Sequence, residues 1–180
     1  EREFFPILVG MEQLDRHACE DLLPRLDRGG ALFISDEHDM YDLVSVLRCC
    51  HMMVSSRFHA IVTSMPGLVP SAGVTMDERI RNLMNDRGHP DMFFEVDEEG
   101  LGEKLLHTLR RLHRDADAIS ADIARAVPAQ LRLMGQMGID FMDEVVRVYP
   151  QFPRRDLPRT WEHHLPPLPA AVQRLLERHA

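Results

Sequence analysis

Val54-Ser55-Ser56-Arg57-Phe58-His59-Ala60-Ile61-Val62 decides how this chain is read. The apolar run 52–55 passes with almost no loop into a segment where Phe58, Ile61, Val62 and Met65 share one helical face. A strand that feeds directly into a helix is the first half of a strand–helix–strand unit. The same alternation repeats on both sides. Residues 4–9, 31–35, 52–55, 68–72 and 92–96 are short continuous apolar runs, the pattern of strands covered on both faces. Helical stripes lie between them: Met40, Leu43, Val44 and Leu47, then Ile80, Leu83 and Met84, and a looser Leu101, Leu105, Thr108 and Leu112. Alternating strands and helices with short connections predict right-handed crossovers and a parallel sheet. The expected fold is α/β, a Rossmann-like doubly wound parallel sheet with a C-terminal helical and proline-rich extension.

Local signals agree. Asp39 and Asp77 each precede a helical stripe and are placed to accept its first backbone N–H groups. Gly29-Gly30 and Gly88 fit helix ends. Cys19, Leu22, Leu23 and Leu26 also have helical spacing, but Pro24 breaks or kinks that helix. The character changes near residue 113, so residues 1–113 are expected to form the sheet unit and 114–180 the extension. Residues 114–149 read as helical, interrupted at Pro128 and softened by Gly135 and Gly138. Residues 150–169 hold six prolines and read as an ordered arm on the surface, followed by a last helix, Ala170–Arg178.

Twenty-nine acidic residues against 21 basic ones give a net charge of −8, which argues against nucleic acid as a partner. No apolar stretch reaches the roughly 18–20 residues of a membrane span, and no charged-then-apolar leader is visible. Cys19, Cys49 and Cys50 are a poor disulfide framework and fit a reducing, cytoplasmic setting. The start at Glu1, almost directly on an apolar run, points to a piece of a longer or processed protein.

Ligands of open α/β sheets bind beyond the carboxyl ends of the strands. That directs attention to the strand-to-helix junctions: Gly10–Asp15, Ser35–Asp39, Ser55–His59, Gly73–Arg79 and the acidic turn Asp97-Glu98-Glu99. The third is chemically richest. Ser55 or Ser56 can cap the helix, leaving its positive end to face an anion. Arg57 adds a guanidinium fork for phosphate or carboxylate. Arg57 and His59 flank Phe58, roughly 100° to either side, and an imidazole there can exchange a proton near neutral pH. The residues alone also admit a structural His and a surface Arg. No dinucleotide or phosphate-loop fingerprint is present. His51, His38 and His163-His164 lack partners at metal-ligand spacing, so no metal and no cofactor are expected. Cys49-Cys50 read as core or near-core thiols. The acidic turn Asp36, Glu37 and Asp39 reads as solvated, with sugar hydroxyls as an alternative ligand.

The segment Val54–Val62, followed by Val69-Pro70-Ser71-Ala72-Gly73, resembles the C-terminal half of the polysaccharide pyruvyl transferase family, whose pattern is a strand, Ser-Arg-x-His-Ala, a helix and a Val-Pro strand. The resemblance covers roughly residues 4–112. It implies a glycosyltransferase-B-like enzyme with its site between two Rossmann-like halves, transferring a pyruvyl group from phosphoenolpyruvate to a sugar or glycan as a ketal. Carried over by position, His59 is the proton donor and Arg57 holds the donor's phosphate or carboxylate, with Ser55, Ser56, Asp77, Arg79, Glu12 and Asp15 as substrate-binding candidates. Where the family often has Tyr-Asp/Asn-Pro-Lys, this chain has Met76-Asp77-Glu78-Arg79, which keeps a positive charge and loses a phenol. The resemblance also implies an N-terminal Rossmann-like half as partner, without which these residues are half a site and inactive. The alternatives are a sugar-nucleotide-binding half of a glycosyltransferase-B-like enzyme, and a non-catalytic scaffold domain in polysaccharide assembly.

Overall fold

Strands and helices alternate along the first two thirds of the chain in the computed structural model, which describes residues 4–153 and 157–178. Glu1, and residues 154–156 of the proline-rich arm, lie outside the described residues. The order is β1 (Ile7–Gly10), α1 (Asp15–Leu22), β2 (Ala31–Ile34), α2 (Met40–Cys49), β3 (Met53–Ser55), α3 (Phe58–Ser64), β4 (Ser71–Val74), α4 (Glu78–Asp86), β5 (Phe93–Phe94) and α5 (Leu101–Arg114). Then come α6 (Ala116–Val148) and α7 (Ala170–Arg178). All five expected strand positions carry a strand, and every pairing is parallel.

The architecture is α/β, but the strands form two small sheets, β1–β2 and β3–β4–β5, in place of the single sheet expected. Among the described residues no ladder crosses the seam to join β1 or β2 to β3, β4 or β5. Leu68 takes a left-handed φ of 59°, so β4 starts only at Ser71. A 3-10 turn, Pro90–Met92, takes Met92 out of β5 and leaves that strand two residues long. Across the seam, Val9 and Met11 instead pack side chains onto the main core. That core joins Ile61, Ile80, Met84, Met92, Leu112 and Ile123, all fully buried. Each such side chain contributes about 1.5–3 kcal/mol.

Asp39 and Asp77 cap α2 and α4 as expected. Gly88 ends α4 with φ +75°, which a residue with a Cβ rarely adopts. Pro24 falls in a 3-10 turn after α1, so the helix stops there. The expected break at Pro128 does not occur: α6 is one helix of 33 residues with Pro128 inside it. Pro128 removes one backbone N–H, but Pro128 is itself buried, on the same helix as Ile123, Ala124 and Val127, and packing holds the segment helical. Gly135 does not soften the helix either. It lets the 3-10 turn Trp161–His164 of the arm approach so closely that a Cβ there would lie 2.3 Å from the Trp161 carbonyl oxygen. Val172 and Leu175 of α7 are buried as well. Cys49 is exposed at the end of α2 and Cys50 half-buried, so Cys49 is no core thiol.

One polar cluster sits inside. Arg87 donates to Ser71 Oγ at 2.8 Å and to the Ser71 carbonyl, and burial pulls its pKa down to about 10. His89, 5% exposed, lies 3.1 Å from Asp122 through Nε2. Burial, then the Arg87 charge, hold the His89 pKa below its ordinary value, against the pull of Asp122. An unfolded histidine takes up its proton as pH falls through about 6.5, and folded His89 does so only lower. Its contribution to stability is therefore complete above about 6.5 and lost as pH falls through the folded value. Melting temperature should drop between about pH 7.5 and 5.5, and drop less in His89→Gln. Equal slopes in the two proteins would remove His89 from the account.

Candidate functional site

The junction after β3 starts with Ser55, whose Oγ accepts the Arg57 backbone N–H at 3.0 Å. This closes a tight turn one residue before the helix. Neither Ser55 nor Ser56 caps α3, because Arg57 itself holds the N-cap position and no side chain bonds the first turn. The physical reason is spacing: Ser55 is spent on the turn, and Ser56 is exposed beside it. Ile61 and Met65 then turn one face of this segment into the core. That burial fixes the helix and leaves His59 on the exposed side.

Arg57 does not project alone. Its guanidinium reaches across the seam between the sheets to the junction after β1. There Nη2 meets Asp15 Oδ1 at 2.5 Å, Nε is 3.2 Å from the same oxygen, and Nη1 meets Glu12 Oε2 at 3.0 Å. Asp15 is itself anchored, accepting the Met11 and Glu12 backbone N–H groups at 3.0 and 3.2 Å. The Asp15 hydrogen bonds raise the Arg57 pKa, opposed by partial burial. Three of the sequence candidates, Arg57, Asp15 and Glu12, are thus brought into one cluster.

The junction after β4 adds a second cation. Thr75 Oγ1 accepts the Asp77 N–H at 3.1 Å, and Asp77 in turn accepts the Arg79 N–H and pairs with its guanidinium at 2.6 Å. Arg79 holds the Asp77 carboxyl below the usual carboxylate range, with a smaller contribution from His59. The Arg79 guanidinium lies 5.2 Å from the centre of the Phe58 ring, over its face. Phe58 also meets the His59 ring edge-on at 5.6 Å. Phe58, His59, Asp77 and Arg79 are therefore joined along the carboxyl ends of β3 and β4, next to Arg57, whose guanidinium is turned to the β1 junction. Each of the two guanidinium groups already has a carboxylate partner. An incoming anion must displace one of them.

The other junctions behave differently. Asp36 and Glu37 hold Arg16, each at 3.0 Å, with Glu20 as its third partner. The acidic turn is therefore an ion-pair network more than a free hydroxyl-binding edge. Asp97 and Glu98 line an open hollow of about 360 Å³ with Arg81, Phe93 and Glu95, which neither Arg57 nor His59 reaches. Sequence reasoning gave no sign of Arg16 or of the Arg87–His89–Asp122 cluster, and it singled out His51 without its partner His113, whose Nδ1 lies 3.1 Å from His51 Nε2 beside Phe4. Among the described residues no group of three or more His, Cys, Asp or Glu side chains is arranged to hold a metal ion. No described helix is long and apolar enough to cross a membrane. Compared with protein-family models, curated proteins and solved structures, the chain matches none of them.

Proposed function

We propose that the Arg57–His59 junction is the phosphoenolpyruvate-binding part of a pyruvyl transferase-like enzyme, on a Rossmann-like half that works with a second half. The observation that carries this reading is the exposed imidazole of His59, edge-on to the Phe58 ring that also carries the Arg79 guanidinium and two residues after Arg57, at the strand ends where α/β sheets bind ligands. Arg57, oriented by Asp15, offers the donor's phosphate or carboxylate a charge-assisted contact. His59 protonates the methylene carbon of the enol, and the neighbouring carbon becomes electrophilic. Two sugar hydroxyls add there as phosphate leaves. One hydroxyl proton restores the imidazole, the other departs with phosphate, and the product is a pyruvyl ketal.

Incubating the intact protein with phosphoenolpyruvate and a pool of sugar diols tests this. The expected result is equimolar inorganic phosphate and ketal, read by mass spectrometry. Turnover of a sugar nucleotide instead moves the reading to a glycosyltransferase-B-like half. The pairing of Arg57 with both Glu12 and Asp15 favours the scaffold reading, in which the arginine only ties the two sheets together. Absence of turnover and of donor binding leaves that reading standing.

Glu12 separates the roles further. It is the more exposed of the two carboxylates on Arg57, while Asp15 also holds the turn. Glu12→Gln should free positive charge and tighten phosphoenolpyruvate binding roughly 2- to 5-fold, the scale of one exposed ion pair. Weaker binding in a calorimetric titration would mean that Glu12 supports the site instead of competing for it.

A further inference from the structure

The first half of α6 is consumed by the core through Ile119, Ile123 and Val127, and its second half turns Gly135 and Gly138 towards the arm and buries Ile139. Another face of that second half, continued by Tyr149 just past its end, is apolar and uncovered. Leu133, Met134, Met137, Phe141, Val148 and Tyr149 are all exposed, Phe141 by 70% and Met137 by 60%. At 3.6 residues per turn they form one stripe centred on Phe141. Polar pairs mark its edge: Gln136 with Asp140, and Glu144 with Arg147.

We propose that this stripe is a homodimer interface in which two copies of α6 pair antiparallel about a two-fold axis near Phe141. Two observations select a second copy as the occupant. The stripe leaves roughly 700 Å² of side chain exposed, close to the ~800 Å² each partner gives a standard interface and above the few hundred Å² of an ordinary surface patch. The stripe is also self-complementary, as a two-fold contact requires. Stepping outward from Phe141, Met137 is matched by the half-buried Val145 and Met134 by Val148. In antiparallel register each therefore meets an apolar residue of the other copy, and Phe141 lies beside its own counterpart. The interface does not depend on the pyruvyl-transfer reading.

Sedimentation equilibrium of the full chain tests it. Wild type should be dimeric at micromolar concentration, and Phe141→Asp monomeric with unchanged circular dichroism, because Phe141 is 70% exposed, and with a melting temperature lowered only to that of wild type diluted until it dissociates. A short bis-maleimide supplies a second readout in a Cys49→Ser background, which removes the exposed native thiol. Phe141→Cys should cross-link to a dimer, and Gln136→Cys, beyond the edge of the stripe and about 140° round the helix from Phe141, should not. Wild type that stays monomeric up to about 100 μM, a dimer indifferent to Phe141→Asp, or cross-linking through residue 136 but not 141 would each overturn the proposal. A monomer that binds some other protein through the stripe counts against it equally.

Discussion

His59→Ala should lower pyruvyl transfer by roughly 10²- to 10⁴-fold, the usual contribution of a positioned proton donor. The same change should leave the urea midpoint nearly where it was. His59 is exposed, and its side-chain neighbour is the edge of Phe58. Surface substitutions of that kind stay within about 0.5 kcal/mol. The helix around it is held by Ile61 and Met65, which the substitution does not touch. Loss of rate without loss of stability assigns His59 to the chemistry. A rate within about twofold of wild type removes the proton-donor role, whatever the neighbouring arginines do.

The second large effect is structural and turns on sign. In a helix interior, alanine is favoured over glycine by about 0.8–1.0 kcal/mol. Gly135→Ala should nevertheless destabilise the protein by about 1–3 kcal/mol net, because the new Cβ meets Trp161 backbone and not a side-chain tip that can swing aside. Gly102→Ala is the control. A Cβ at Gly102, in α5, meets nothing within 4 Å. That variant should gain up to about 1 kcal/mol. Opposite shifts in urea midpoint are the expected outcome. Gains at both positions would mean that the arm does not rest on α6.

Sequence periodicity located the five strand positions and most helices because each depends on residues a few places apart. Met53–Ser55 and Phe58–Ser64 are local in this sense: an apolar run, then a 3.6-residue stripe. The split into two sheets was not legible, since whether two apolar runs share a ladder is decided between segments far apart in the chain, and no local spacing fixes it. Pro128 misled for the opposite reason. Its local cost was visible, whereas the burial that offsets it comes from distant parts of the chain. At the site, Arg57, His59, Asp77 and Arg79 stood out by residue type at strand ends. That Arg57 is held by Asp15, 42 positions away, was invisible, because no spacing rule links two loops that meet only after folding. The apolar face of α6 was legible as a helix, and its exposure was not.

The central claim is that Arg57 exchanges its carboxylate partners for an anionic donor. Titrating phosphoenolpyruvate into the intact protein by calorimetry, beside Arg57→Ala, tests this most directly. The account predicts saturable binding to wild type and affinity at least about 10-fold weaker in the variant, the loss of one charge-assisted contact. Equal affinity in the two proteins, or no binding to wild type, would contradict it.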